Sequence, residues 1–117
     1  MRVDNETIPL DSSSSDAVEP MYILSLLNNE LMSSSWKLIN KDYNIGRSSE
    51  NNIILDDITV SRRHALLSVS NEDIKIIDNN STNGIYLNNE IITDSQIKSG
   101  DKIQIGKYLL LLTEVKK

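Results

Sequence analysis

The sequence contains no cysteine and only one histidine, His64. Without cysteine, the chain can form neither a disulfide framework nor a thiolate metal site or nucleophile. A zinc site would have to combine His64 with carboxylates alone, a ligand set that zinc proteins seldom use. We therefore predict that the protein holds no metal and no cofactor.

Long apolar runs are absent as well. No stretch approaches the roughly 18 residues of a membrane-spanning helix, and the acidic N-terminus lacks the apolar segment of a signal peptide. A nucleic-acid-binding surface would be basic, whereas the net charge is −5. These absences predict a cytoplasmic protein that binds neither a membrane nor nucleic acid.

The chain has the length of one domain, 117 residues, and begins with a polar segment. Residues 1–20 contain four consecutive serines, two prolines, and five acidic residues against one arginine. Such a segment buries too little apolar surface to offset the entropy lost on ordering. We predict a disordered acidic tail at residues 1–20 and one folded domain at residues 21–117.

From residue 21 onward, short apolar runs alternate with turn residues. The runs occupy residues 22–27, 36–39, 43–45, 53–55, 65–69, 74–78, 85–87, 91–92, 102–105 and 108–113. The turns are rich in Asn, Asp, Ser and Gly; they include residues 28–30, 40–42, 71–73, 79–80, 88–89 and 99–101. No helical period is sustained, so the pattern predicts an all-β sandwich or barrel.

Three polar segments lie where predicted strands end. They are Gly46-Arg47, Ser61-Arg62-Arg63-His64 and Ser81-Thr82-Asn83-Gly84, and they contain three of the four arginines of the chain. A guanidinium group presents donors in a fixed fork that suits a dianion, and the hydroxyl groups add further donors. Arginine and hydroxyl donors that converge from loops are typical of phosphate binding.

The same residues allow other interpretations. Ser, Thr, Asn and Gly are common turn formers, so each segment alone is a weak signal. Ser61, His64 and Asp78 would supply the residue types of a catalytic triad, but the sequence contains no nucleophile elbow and no identifiable oxyanion hole. We therefore expect a binding protein rather than an enzyme, with His64 a partly buried, hydrogen-bonded residue that orients a loop.

In this order and spacing, the three segments resemble the motifs of the forkhead-associated (FHA) domain. The resemblance covers roughly residues 22 to 114. It implies a β-sandwich of about eleven strands whose loops at one end bind phosphothreonine peptides. Arg47 and Ser61 would hold the phosphate, Thr82 would line the same pocket, Arg62 would contact phosphate or peptide, and Asn83 would bond the peptide main chain.

Further residues take supporting roles in the same resemblance. Ser48 and Ser49 lie in the first recognition loop and could contribute to peptide binding. Gly46, His64 and Gly84 would be structural, with His64 holding the loop of Ser61.

The resemblance implies a phosphothreonine-binding adaptor in a Ser/Thr-kinase pathway. Its partners would be phosphothreonine-containing proteins and a Ser/Thr protein kinase. The alternative is a phosphate-independent interaction or oligomerisation module that uses the sheet faces of the same sandwich. The retention of Arg47, Ser61 and Asn83 favours the first interpretation.

The tail contains one candidate phosphorylation site, Thr7, in an acidic context. FHA domains often read the third residue after phosphothreonine, which here is Leu10. Some small bacterial members of the family bind their own phosphorylated tail, so the resemblance implies a tail that occupies its own pocket. The alternative is a tail whose Thr7 is never modified.

Overall fold

A computed structural model describes residues 21–27 and 34–115, in which eleven strands form two sheets. The strands are β1 (Tyr22–Leu26), β2 (Ser35–Leu38), β3 (Lys41–Gly46), β4 (Ile53–Ile54), β5 (Ala65–Val69), β6 (Ile74–Asp78), β7 (Ile85–Leu87), β8 (Glu90–Ile92), β9 (Asp94–Ile97), β10 (Lys102–Ile105) and β11 (Tyr108–Glu114). The predicted disordered tail, Thr7 and the predicted turn at residues 28–30 lie outside the described residues.

The two sheets pack face to face as a sandwich. One has the strand order β2-β1-β11-β10-β7-β8, and the other has the order β4-β3-β5-β6-β9. Neighbouring strands are antiparallel except β3 and β4, which are parallel. The all-β sandwich predicted from the sequence is therefore confirmed. No helix within the described ranges is long and apolar enough to cross a membrane.

The core lies between the sheets because apolar residues alternate along the strands. In β5, Ala65, Leu67 and Val69 are buried, while the residues between them are partly exposed. In β10, Ile103 and Ile105 are buried and their neighbours are exposed. Side chains of successive strand residues point to opposite faces, so each strand contributes one row of side chains to the core. Burying one such side chain contributes about 1.5–3 kcal/mol.

Asparagine forms the tight turns that the sequence predicts at residues 88–89. Leu87 of β7 pairs with Glu90 of β8, which leaves Asn88 and Asn89 as a two-residue connection. Their φ angles are 49° and 73°, both in the left-handed region. Two-residue hairpins favour this conformation, and asparagine adopts it more readily than most residues.

The structure differs from the sequence prediction in two places. The sequence predicts a break at residues 40–42, but β3 begins at Lys41 and pairs Lys41 and Asp42 with Val69 and Ser68. Strand β9 was not predicted, since Asp94–Ile97 carries one buried apolar residue and three polar ones. Both segments are strands because their main chains complete hydrogen-bonded ladders with β5 and β6.

The strand register brings the predicted polar segments to one end of the sandwich. Ile45 near the end of β3 pairs with Ala65 at the start of β5, which pairs with Asp78 at the end of β6. In the other sheet, Ile85 at the start of β7 pairs with Ile105 at the end of β10. The β3–β4 loop (residues 47–52), the β4–β5 loop (55–64), the β6–β7 loop (79–84) and the β10–β11 turn (106–107) therefore share this end.

Thr59 connects the β4–β5 loop to the β10–β11 turn of the opposite sheet. Its hydroxyl donates to Asp57 Oδ2 at 2.6 Å and accepts the Lys107 main-chain N–H at 2.9 Å. Asp57 Oδ1 also lies 3.2 Å from Lys107 Nζ. Gly106 has a φ of +58°, and a Cβ there would lie 2.5 Å from Thr59 Oγ1 and 2.8 Å from Val60 Cγ2. This close approach requires glycine at residue 106.

Gly106→Ala is expected to destabilise the protein more than Gly100→Ala. Both residues have positive φ, but a Cβ at Gly100 would meet nothing within 4 Å. The backbone conformation alone costs on the order of 1 kcal/mol in each variant. Crowding against Thr59 and Val60 adds about 1–3 kcal/mol in Gly106→Ala. Urea unfolding of the two variants measures the difference, and equal stabilities would contradict the packing described for the turn.

Acid is expected to weaken the connection through Asp57. Hydrogen bonds from the Thr59 hydroxyl and main chain, with the nearby Lys107 ammonium, lower the pKa of Asp57 from 3.8 to about 2. Because this pKa is lower in the folded state, the carboxylate stabilises the fold above its ordinary pKa and loses that contribution as the pH falls through about 2.

Unfolding free energies measured between about pH 5 and pH 2 therefore fall more steeply for the wild type than for Asp57→Asn. The exposed neighbour Asp56, which makes no hydrogen bond to the described residues, provides the control Asp56→Asn. A wild-type pH profile parallel to that of Asp57→Asn would show that the carboxylate does not stabilise the loop.

Candidate functional site

Gly46 allows the end of β3 to approach the β4–β5 loop. A Cβ at this residue would overlap the Arg62 carbonyl oxygen and lie 2.9 Å from Asn51 Nδ2. With no side chain present, the next residue forms a main-chain bond across the gap, from Arg47 N–H to the Ser61 carbonyl at 3.0 Å. Glycine at residue 46 therefore places Arg47 beside Ser61.

The Arg47 guanidinium is held along one edge. Its Nε–H donates to the Val60 carbonyl at 3.0 Å, and the residue is partly buried. Its two terminal amino groups have no hydrogen-bond partner among the residues that the structure describes. A fork fixed through Nε leaves the paired amino groups available to an anion, the geometry in which arginine binds carboxylate or phosphate bidentately.

Ser61 makes three different hydrogen bonds within the site. Its N–H donates to His64 Nδ1 at 3.0 Å, its carbonyl accepts from Arg47, and its Oγ accepts the Thr82 N–H at 3.0 Å. The hydroxyl proton is still available to donate. Ser61 thus links the loops of Arg47 and Thr82 and keeps one donor for a ligand.

His64 is fully buried and joins two loops through its ring. Nδ1 accepts the Ser61 N–H, so the ring proton lies on Nε2, which donates to the Gly84 carbonyl at 2.7 Å. One neutral tautomer satisfies both bonds, because a main-chain N–H can only donate and a carbonyl can only accept. The ring therefore holds the β4–β5 loop against the β6–β7 loop.

The alternative of a Ser61-His64-Asp78 triad does not match this geometry. The Ser61 hydroxyl accepts from Thr82 N–H, and His64 contacts the Ser61 main chain instead. Asp78 Oδ1 accepts the Ser81 N–H at 3.4 Å, while His64 Nε2 is bonded to Gly84. A triad needs the serine hydroxyl and the carboxylate on opposite nitrogens of the histidine, and neither contact is made.

Thr82 and Asn83 form the exposed tip of the β6–β7 loop. Asn83 Nδ2 donates to the Thr59 carbonyl at 2.9 Å, which leaves its Oδ1 available as an acceptor. Behind them, Gly84 has a φ of +79°, and its N–H donates to Ser81 Oγ at 2.9 Å. The loop therefore presents two polar side chains beside Ser61.

No sequence signal identified Asn51, which holds the other side of the site. Asn51 is only 7% exposed, and its Nδ2 donates to the Arg62 carbonyl at 2.7 Å and the Ser48 carbonyl at 2.8 Å. Ser48 N–H also donates to the Arg62 carbonyl, at 3.2 Å. Asn51 and its exposed neighbour Asn52 are the same residue type, so the sequence does not separate them. Only the close approach of Gly46 to Asn51 and the Arg62 carbonyl distinguishes Asn51.

The three clustered arginines have different surroundings. Arg47 is partly buried and its Nε–H is bonded to the Val60 carbonyl, whereas Arg62 is exposed. Arg63 Nη2 lies 3.5 Å from Glu50 Oε1, and both side chains are largely exposed. An exposed pair of this kind contributes little to stability. Arg47 and Arg62 are thus the arginines whose charge is not paired with a carboxylate in the described part of the chain.

The predicted binding residues Arg47, Ser61, Thr82 and Asn83 are brought together by the hydrogen bonds above. The N–H of Ser48 is bonded to the Arg62 carbonyl, and Ser49, the residue after Ser48, is exposed. Among the described residues, no group of three or more His, Asp or Glu side chains could hold a metal ion.

Comparison with known proteins finds a matching family and several relatives. The profile of the FHA domain matches residues 43–106. The glycogen accumulation regulator GarA of Mycobacterium tuberculosis is 42% identical over 66 residues, which are 56% of this chain and 41% of that protein. The oxoglutarate dehydrogenase inhibitor of Corynebacterium efficiens is 44% identical over 66 residues, 56% of this chain and 46% of that protein. The chain thus matches less than half the length of each relative.

A solved FHA domain has the same architecture. It comes from a structural and functional analysis of phosphothreonine-dependent FHA domain interactions; its TM-score is 0.77 and its identity 27%, over 83% of this chain and 99% of that one. The matched profile spans more than half of the chain and includes every site segment described above. The chain therefore belongs to the FHA domain family.

Proposed function

We propose that the protein binds phosphothreonine peptides and acts, without catalysis, as an adaptor in Ser/Thr-kinase signalling. The observation that carries this proposal is the Arg47 guanidinium, which is fixed through Nε to the carbonyl of Val60, while the Arg47 N–H bonds the carbonyl of the next residue, Ser61. The guanidinium and the Ser61 hydroxyl keep donors that no described residue uses. A tetrahedral dianion offers several acceptors to such a set, whereas a neutral ligand would leave the arginine charge uncompensated.

The remaining residues fit around a phosphate held by Arg47 and Ser61. Thr82 lines the same pocket, since its N–H is bonded to Ser61 Oγ. Arg62 and Ser48 contact phosphate or peptide from the other side. Asn83 bonds the peptide main chain through its Oδ1 or its second amide hydrogen, because the bond to Thr59 uses only one hydrogen of Nδ2. Gly46, His64 and Gly84 keep the three loops in this arrangement.

The relatives support a regulatory role. One is described as a regulator of glycogen accumulation and the other as an inhibitor of oxoglutarate dehydrogenase. Partners of the present chain would be phosphothreonine-containing proteins and the kinase that modifies them. The alternative, a phosphate-independent interaction module, predicts equal affinity for phosphorylated and unphosphorylated peptides.

Arg47→Ala is expected to weaken phosphothreonine-peptide binding by tenfold or more, while the domain stays folded. The lost charge-assisted contact typically contributes about 1.5–3 kcal/mol. Arg63→Ala provides the matched control, because Arg63 is exposed and paired with Glu50. Calorimetric titration of the wild type and both variants with a phosphothreonine peptide and its unphosphorylated form measures the six affinities.

Two outcomes of this titration would contradict the proposal. Full affinity in a folded Arg47→Ala variant would remove Arg47 from the site. Equal binding of both peptides by the wild type would favour the phosphate-independent alternative. Circular dichroism of each variant establishes that the sandwich is intact.

We further propose that phosphorylated Thr7 is a ligand of the same site. Strand pairing places Met21 far from it, because Tyr22 pairs with Glu114, whereas Tyr108 pairs with Ile105 beside the β10–β11 turn. The tail must therefore cross about 20 Å along the sandwich. The fourteen residues from Thr7 to Met21 reach about 20 Å as a flexible coil and at most about 50 Å when extended.

A tail of this length presents its phosphate at roughly millimolar effective concentration. Protein phosphorylated at Thr7 is therefore expected to bind an external phosphothreonine peptide much more weakly than unphosphorylated protein. Fluorescence anisotropy with a labelled peptide measures the loss, and the control is Thr7→Ala after the same kinase treatment. Mass in solution distinguishes an intramolecular complex from a tail-exchanged dimer. Unchanged peptide affinity, with a tail that stays mobile in NMR spectra, would contradict a self-bound state.

A further inference from the structure

The β6–β7 loop contains the only Asn-Gly sequence of the chain, Asn83-Gly84. In such a pair, the main-chain nitrogen of glycine can attack the asparagine Cγ, because glycine has no side chain to hinder the approach. Ammonia leaves from Nδ2, and a five-membered succinimide ring forms. Water then opens the ring to aspartate or isoaspartate, so the net change is the loss of ammonia and the gain of water.

The folded loop holds both reacting groups. The Gly84 N–H, whose nitrogen would attack, donates to Ser81 Oγ at 2.9 Å. The Asn83 Nδ2, which would leave, donates to the Thr59 carbonyl at 2.9 Å. The main chain is fixed on both sides of Asn83, through Thr82 N–H to Ser61 Oγ and through His64 Nε2 to the Gly84 carbonyl.

Ring closure needs rotation about the Asn83 main chain and a free Gly84 nitrogen. Breaking the Ser81 bond is therefore a condition of the reaction, whereas the exposure of Asn83 already provides the water. We propose that Asn83 is a deamidation site and that the Ser81 hydroxyl suppresses the reaction in the folded protein. Ser81 acts here as a positioning residue, since it holds the nitrogen without taking part in the bond changes.

The reaction would inactivate the binding site, a consequence that rests on the proposed function. Aspartate at residue 83 lacks the amide that donates to Thr59, and it brings a negative charge to the edge of the phosphate site. Isoaspartate also lengthens the main chain of the loop by one atom. A bound phosphopeptide that contacts Asn83 would slow the reaction, because it adds a further restraint on the same side chain.

The test is incubation of the full-length protein at neutral pH, with peptide mapping by mass spectrometry to follow conversion at Asn83. Wild-type protein in native buffer is expected to react much more slowly than the same chain unfolded in urea. Ser81→Ala is expected to react about fivefold faster than the wild type under native conditions, the factor that corresponds to one net hydrogen bond. Ser81→Thr, which keeps a hydroxyl, serves as the matched control and should stay near the wild-type rate.

Equal rates in native buffer and in urea would overturn the protection by the fold, even if Ser81→Ala failed to fold. Equal rates in wild type and folded Ser81→Ala would overturn the role of Ser81. Because conversion is read as mass, these outcomes do not depend on peptide binding. If the Asn83→Asp variant bound a phosphothreonine peptide as tightly as the wild type, only the claim that deamidation inactivates the site would be overturned. Failure of the wild type to bind the peptide would instead contradict the proposed function.

Discussion

The two hydrogen bonds of the buried His64 ring determine the geometry of the binding end. Each nitrogen contacts a main-chain group of a different loop, Ser61 on one side and Gly84 on the other. Replacing the ring would leave a donor and an acceptor unsatisfied in the interior, which typically costs about 1–3 kcal/mol for each group. A neutral histidine presents one acceptor and one donor on a rigid ring, which matches the N–H of one loop and the carbonyl of the other.

Around this ring, the site is built mainly from main-chain contacts. Arg47 and Thr82 reach their places because the Arg47 N–H donates to the Ser61 carbonyl and the Thr82 N–H donates to the Ser61 hydroxyl. The absence of a Cβ at Gly46 permits the closest of these approaches. Side chains that remain for a ligand are therefore held by bonds that a ligand does not disturb, and little reorganisation should accompany binding.

The sequence was sufficient for the fold class, for most strands and for the meeting of the three polar segments at one end of the sandwich. Alternation of apolar residues predicted strands such as β5, β6 and β10, because burial on one face determines them. It missed β9, whose pairing with β6 is stabilised by the main chain rather than by apolar side chains. Asn51 and Thr59 were also missed, since their roles arise from contacts between loops far apart in sequence.

The described chain begins and ends at the same side of the sandwich. Val115 N–H donates to the Met21 carbonyl at 3.0 Å, at the end opposite the proposed phosphate site. Met21 and Val115 therefore lie together, at the end away from the proposed binding loops. A domain with this arrangement can be inserted into a surface loop, or joined to another protein at either side, without covering its recognition surface. The fold is thus well suited to exchange between proteins as a transferable module.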